Sequence, residues 1–78
     1  MKISFFSSQP YDRIFFNRYN EDFSFELEYF ETQLNMQTVN LLNNSNAVCV
    51  FVNDIVNGEV INELAKKNIK IIFKNIIL

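Results

Sequence analysis

Apolar residues along the chain fall into short runs with strand-like spacing. Residues 2–7 and 69–73 are compact apolar runs, residues 23–30 alternate apolar and polar side chains, and residues 47–52 are apolar throughout. Alternation indicates a strand with one solvated face, whereas a continuous apolar run indicates a strand buried on both faces of a parallel sheet. The sequence therefore predicts four strands, with residues 47–52 the most buried.

The segment between the first two predicted strands has helical spacing. Pro10 suits the first turn of a helix, and apolar residues then recur every three or four positions as far as Asn20. The pattern predicts an amphipathic helix whose apolar stripe packs against the sheet. The stripe consists of Tyr11, Ile14, Phe15, Phe16 and Tyr19.

Two further helices are predicted between the later strands. Asn35 is a suitable cap for a short helix over residues 36–43, with Met36, Val39 and Leu42 facing inward. Asn57 and Gly58 open a third helix that ends near Asn68. Its apolar stripe comprises Val60, Ile61, Leu64 and Ala65.

The order of elements is βαβαβαβ with short connections, which predicts right-handed crossovers in an open parallel α/β sheet. The expected strand order is 2-1-3-4 with helices on both faces. Such a sheet normally continues to a fifth strand. The fourth strand is therefore expected to leave an open apolar edge, which favours self-association.

Composition excludes several classes of function. The 78 residues carry a net charge of -2 without a basic row, so a nucleic-acid partner is not expected. Cys49 is the single cysteine and lies in an apolar run, which indicates a buried thiol and a reduced, cytoplasmic setting. No segment has the length and apolarity of a membrane span or a signal peptide, so no membrane association is expected.

Ligands of such sheets bind beyond the carboxyl ends of strands 1 and 3. The residues there are Ser7, Ser8 and Gln9, with residues 51–54 after the third strand. The chain has one glycine, which excludes a Gly-x-Gly-x-x-Gly fingerprint. It has no histidine and one cysteine, so we expect no metal cluster. Asp54 lacks the neighbouring acids of a phosphoacceptor site. We predict no catalytic, cofactor-binding or metal-ligating residue in this chain.

Four segments carry a resemblance to a known family. Residues 25–30, residues 47–54, the pair 11–12 and residues 63–67 resemble the beginning of bacterial D-lactate dehydrogenases, members of the D-isomer-specific 2-hydroxyacid dehydrogenases. The resemblance extends from Met1 to about Ile72, and residues 47–54 are its most specific part.

The resemblance implies a flavodoxin-like substrate-binding domain that closes over a separate NAD-binding domain. Residues 1–78 would be its N-terminal portion, with the NAD-binding domain absent. Complete members of the family are cytoplasmic, homo-oligomeric enzymes that reduce pyruvate to D-lactate with NADH. Their catalytic Arg, Glu and His lie far beyond position 78, so the resemblance assigns none of these roles to this chain. Because the NAD-binding domain would be absent, no cofactor is expected for this chain alone.

The resemblance also implies a part of the substrate pocket. Phe51, Val52 and Asn53 match positions at the wall of that pocket. Residues 73–78 depart from the family, because they lack the glycine of its substrate-binding loop. This departure favours a truncated or frameshifted gene whose product is inactive alone. Two alternatives stay open, namely an interaction module that self-associates through the open strand edge and a small flavin or phosphate binder.

Overall fold

A computed structural model describes residues 1–75, which form a four-stranded parallel sheet with helices on both faces. The sheet order is β2-β1-β3-β4, and each neighbouring pair is parallel. The predicted α/β class and strand order are thus confirmed. The strands are β1 (Lys2–Phe5), β2 (Glu26–Tyr29), β3 (Ala47–Phe51) and β4 (Ile71–Asn75).

Helices connect the strands, and none within residues 1–75 is long and apolar enough to cross a lipid bilayer. The first connection is α1 (Pro10–Asn20), which begins at the predicted proline. The third is α2 (Gly58–Lys66), where the Asn57 side chain accepts a hydrogen bond from the amide of Val60. Asn68 follows α2 with a φ of 62°, consistent with the predicted helix end.

The α-helix predicted over residues 36–43 was wrong, because only a 3₁₀ helix forms there, at Thr38–Leu41. The Asn35 side chain accepts from the amides of Gln37 and Thr38, and the Thr38 hydroxyl donates to the carbonyl of Gln33. Such local side-chain bonds compete with α-helical backbone bonds. The segment is therefore held as a tight turn.

The inward residues of that segment were predicted only in part. Val39 and Leu42 are buried as expected, whereas Met36 is exposed. Leu34, which the sequence did not single out, is fully buried. Together with α2 they cover one face of the sheet. The buried cluster contains Phe6, Leu34, Val39, Leu42, Val48, Val50, Val60, Leu64 and Ile69.

The opposite face of the sheet is covered, within residues 1–75, by α1. Phe16 packs there against Phe5, with ring centroids 4.7 Å apart. The prediction that the whole α1 stripe packs on the sheet was wrong. The exposed members are Tyr11, Ile14, Phe15 and Tyr19. In α2, likewise, Ile61 and Ala65 are exposed although they were expected to face inward.

Two strands begin later than predicted. Asn20 donates to the carbonyl of Phe25 and accepts from its amide, which holds the preceding residues in a turn and delays β2 to Glu26. The amide of Ile69 donates to the carbonyl of Leu64 and closes the end of α2. Ile69 is therefore part of the cap, and β4 starts two residues later. Of the predicted carboxyl-terminal tail, residues 76–78 lie outside the described residues.

Candidate functional site

The carboxyl ends of β1 and β3 are the place where the connections leave toward opposite faces of the sheet. We call residues 6–9 and 52–57, which follow these two strands, the switch-point edge. The chain runs from residues 6–9 into α1 and from residues 52–57 into α2. Open α/β sheets bind ligands in the crevice that this divergence creates. The structure thus brings together the two loops that the sequence singled out.

One carboxylate joins the loops of the switch-point edge. Asp54 Oδ1 accepts from the Ser7 hydroxyl at 2.6 Å and from the Leu34 amide at 2.8 Å. Its Oδ2 accepts from the Phe51 amide at 2.7 Å. The Ile55 amide in turn donates to the carbonyl of Leu34 at 3.0 Å. Three chain segments, following β1, β2 and β3, are therefore fixed relative to one another by one side chain.

The same contacts determine what Asp54 can do chemically. Both of its oxygens accept hydrogen bonds from donors of the chain, two of which are backbone amides. Hydrogen bonds of this kind hold the carboxylate in place. Asp54 is thus a structural anchor of the switch-point edge.

The three predicted pocket-wall residues lie together at the end of β3 but differ in exposure. Phe51 is buried, with 7% of its surface exposed, whereas Val52 and Asn53 are exposed in the turn that follows. A cavity of about 270 Å³ opens beside Phe51 and Asp54. Their role as a pocket wall stays a prediction. Val50, Phe51, Asp54, Val56, Ile72 and Lys74 line the cavity.

The loop after β1 uses its polar groups within the fold. Ser7, at a φ of 55°, donates to Asp54, and the Ser8 hydroxyl donates to the carbonyl of Phe30. The buried Asp12 accepts from the amide of Gln9 at 2.7 Å, forming a capping box at the start of α1. An acidic side chain already occupies this helix N-terminus. The loop therefore does not offer the glycine-rich phosphate cradle of a nucleotide or flavin site.

Cys49 and the two carboxylates of β2 have structural roles. Cys49 is buried in β3, and burial, with smaller effects of Asp12 and Asp54, raises the pKa of its thiol to about 11. Glu26 and Glu28 point the same way from the edge strand β2. Their carboxylates lie 3.7 and 3.6 Å from Lys2 Nζ, so they form ion pairs with it. Charged side chains on an edge strand oppose the addition of a further strand.

The sequence did not reveal the hydrogen bond from the Leu34 amide to Asp54, which ties the loop after β2 to the loop after β3. Leu34 stands alone in a polar stretch, and such a residue gives no periodic signal. Asp54 was considered only as a phosphoacceptor. Its position directly after the most buried strand was the available signal, because backbone amides at such strand ends need acceptors.

Comparison with known proteins gives a consistent result. The chain is 43% identical over 72 residues to 2-hydroxyacid dehydrogenase homolog 1 of Schizosaccharomyces pombe, and 40% identical over 72 residues to D-lactate dehydrogenase of Escherichia coli. Each match covers 92% of this chain and 22% of the relative. The chain thus spans about a fifth of the length of the curated relatives it matches. No protein-family model matches it.

Solved structures agree with the sequence matches. The Salmonella D-lactate dehydrogenase superposes with a TM-score of 0.94 at 37% identity, covering 100% of this chain and 24% of that one. A D-lactate dehydrogenase from Lactobacillus jensenii solved with NAD⁺ shows the same fold, with a TM-score of 0.83 at 24% identity over 100% of this chain and 24% of that one. The fold of the described residues is therefore that of one part of these enzymes.

Proposed function

We propose that this chain forms part of the substrate-binding domain of a D-lactate or 2-hydroxyacid dehydrogenase. It is similar to these enzymes over about a fifth of their length. The observation that carries the proposal is the superposition of the whole chain on the Salmonella enzyme at a TM-score of 0.94. The complete enzyme would reduce pyruvate to D-lactate with NADH, in the cytoplasm and as a homo-oligomer. The single free thiol, Cys49, is consistent with that reducing compartment.

The residues that the structure describes do not fit the cofactor itself. NAD binding relies on a glycine-rich turn whose amides approach the pyrophosphate at a helix N-terminus. Here the α1 N-terminus is occupied by Asp12, and the Ser7 and Ser8 hydroxyls donate within the fold. NAD would therefore be held by another part of the longer enzyme, and the groups that transfer hydride and proton would lie there too.

The contribution that we assign to this chain is a wall of the substrate pocket. Val52 and Asn53 are exposed directly after β3, and the buried Phe51 is the last residue of that strand. Asp54 holds this turn by binding the Phe51 amide and the Leu34 amide. A wall of this kind orients substrate without exchanging a proton with it. The chain alone is therefore expected to be inactive.

The proposal is tested by a chimera in which this chain replaces the matching segment of the Escherichia coli D-lactate dehydrogenase. We expect pyruvate-dependent oxidation of NADH by the chimera and none by the purified chain. In the chimera, Asn53→Ala should raise KM for pyruvate by about tenfold, because binding contacts are lost while the reacting groups stay. Asn62→Ala, an exposed position on α2, is the matched control.

Three outcomes would contradict the proposal. A folded chimera without activity would show that the segment cannot serve in this enzyme. An active chimera whose KM is unaffected by Asn53→Ala and by Val52→Ala would remove the pocket-wall role. Turnover by the chain alone would overturn the expected inactivity.

A second candidate function is self-association through the β4 edge, with the chain acting as a small interaction module. The observation that favours it is the exposure of Ile71, Ile72 and Phe73 on a strand that ends the described sheet. Unpaired edges of this kind recruit further strands. Ile72→Lys should abolish such pairing because a charge on an edge strand opposes strand addition, and sedimentation velocity would show the change in mass.

A further inference from the structure

The Asn57-Gly58 pair at the start of α2 has a chemical property that its capping role does not use. Gly58 is the single glycine of the chain, so no other asparagine is followed by glycine. Both residues are exposed. In such a pair the backbone nitrogen of the glycine can reach the side-chain carbonyl carbon of the asparagine, because no Cβ hinders its approach. The pair therefore places an internal nucleophile beside a primary amide.

The start of α2 leaves the backbone nitrogen of Gly58 accessible. Gly58 is the first residue of the helix, and the first amides of a helix have no acceptor within it. A Cβ built on Gly58 would meet no heavy atom within 4 Å. Asn57 precedes the helix and has an extended backbone, with φ at -91° and ψ at -179°. The space around the two reacting groups is therefore open.

The hydrogen bond that caps α2 is compatible with attack on the Asn57 side chain. The Val60 amide donates to Asn57 Oδ1 at 3.0 Å, so the cap engages the oxygen and not the nitrogen Nδ2 that would leave. Attack on Cγ places negative charge on Oδ1. A backbone amide that points at this oxygen stabilises such a charge. The cap therefore does not compete with the reaction for the leaving group.

We propose that Asn57 is a site of spontaneous deamidation. The Gly58 nitrogen gives its proton to solvent base and bonds to Asn57 Cγ, the Cγ–Nδ2 bond breaks, and the side-chain nitrogen takes up a proton and leaves as ammonia. Water then opens the resulting cyclic imide. Addition at Cγ gives aspartate, and addition at the backbone carbonyl carbon gives isoaspartate. Nothing is oxidised or reduced, and the protein groups that react lie within residues 57–60, independently of the dehydrogenase function.

The two products differ in what remains of the α2 cap. Aspartate keeps a side-chain oxygen for the Val60 amide and adds a negative charge at the helix N-terminus, where such a charge is favourable. Isoaspartate inserts a further carbon atom into the backbone, which displaces that oxygen. Because Asn57 is the last residue of the switch-point edge, the insertion also lengthens the loop after β3. The aspartate product should therefore keep the stability of α2, whereas the isoaspartate product should lose it.

The test is incubation of the purified chain at mildly alkaline pH, followed by peptide mapping with mass spectrometry and by enzymatic methylation of isoaspartate. Gly58→Ala is the matched variant, because its Cβ has open space and the φ of Gly58 is not positive. We expect this variant to deamidate at position 57 at least about tenfold more slowly, because the new Cβ hinders the backbone nitrogen. The internal control is Asn44, which is exposed but followed by the buried Ser45. Circular dichroism would verify that the variant is folded.

Two results would overturn the proposed site. One is loss of the Asn57 amide no faster than that of Asn44, and the other is an equal rate in the folded Gly58→Ala variant. The consequence for the cap is tested by thermal unfolding of the separated products. The aspartate product should have the midpoint of Asn57→Asp, and the isoaspartate product should have a lower one. Equal midpoints of the two products would overturn the predicted loss of the cap.

Discussion

The Ser7 hydroxyl donates to Asp54 Oδ1 at 2.6 Å across 47 residues of sequence, joining the loop after β1 to the loop after β3. This contact lies at the point where the connections diverge, and the same carboxylate also binds the amides of Leu34 and Phe51. The geometry of the switch-point edge therefore depends on one side chain. Its removal should affect the whole edge at once.

Replacing Asp54 tests this dependence. In Asp54→Asn one side-chain oxygen becomes an NH₂ group, so either the amide of Phe51 or the pair of donors at Oδ1 loses its acceptor. Unsatisfied buried donors are costly, and we expect the free energy of unfolding in urea to fall by about 2 kcal/mol. The exposed Asp22→Asn should change it by less than about 0.5 kcal/mol. Equal effects of both substitutions would contradict the anchoring role.

The pKa of Cys49 predicts a pH dependence of stability. Burial raises this pKa from 9.0 to about 11, so the folded chain keeps the thiol proton at a pH where the unfolded chain has released it. Stability from this group is complete below pH 9 and is lost as the pH rises toward 11. Unfolding followed across this range should show the loss, and Cys49→Ala should remove the part due to the thiol. An unchanged slope in Cys49→Ala would contradict the assignment.

The two sides of α2 should respond differently to truncation. Leu64 is 1% exposed within the buried cluster, whereas Ile61 on the same helix is 46% exposed. Leu64→Ala should lower the free energy of unfolding by about 2–5 kcal/mol through lost burial and a cavity. Ile61→Ala should lower it by less than about 1 kcal/mol. Chemical denaturation measures both, and a comparable loss at Ile61 would show that its face is covered.

The start of α2 offers a further test. Asn57 accepts a hydrogen bond from the Val60 amide at 3.0 Å. Loss of such a cap in Asn57→Ala should destabilise the chain by about 1 kcal/mol. Asn62→Ala, exposed within the helix, should be neutral or slightly stabilising because alanine has the higher helix propensity. Thermal unfolding of the two variants separates these effects, and equal midpoints would exclude a capping contribution.

The sheet could be predicted from sequence because its signals are local and strong. The all-apolar β3 and the alternating β2 predict a central and an edge position, and the observed order agrees. The α1 stripe could not be predicted as exposed, since periodicity marks an apolar face without showing what covers it. The prediction of an α-helix over residues 36–43 failed for a different reason, because Asn35 and Thr38 bind nearby backbone groups. Side-chain bonds of that kind have no periodic signature.

The sequence predicted where the two loops of the candidate site lie, but not the hydrogen bonds that hold them together. Ser7 and residues 51–54 were expected at the carboxyl ends of strands 1 and 3, and they lie there. The anchoring by Asp54 depends on Leu34, which reaches the edge from the loop after β2. A contact between residues 20 positions apart has no signature in a single sequence.

We propose that this chain forms part of the substrate-binding domain of an NAD-dependent 2-hydroxyacid dehydrogenase. The genomic DNA that follows the codon of Leu78 tests this proposal most directly. Translation of all three frames should show a strand followed by Gly-x-Gly-x-x-Gly, and later the Arg, Glu and His that the resemblance implies. Their presence in any frame is the result that we predict. Unrelated sequence in all three frames would contradict the claim and leave the chain as an interaction module in its own right.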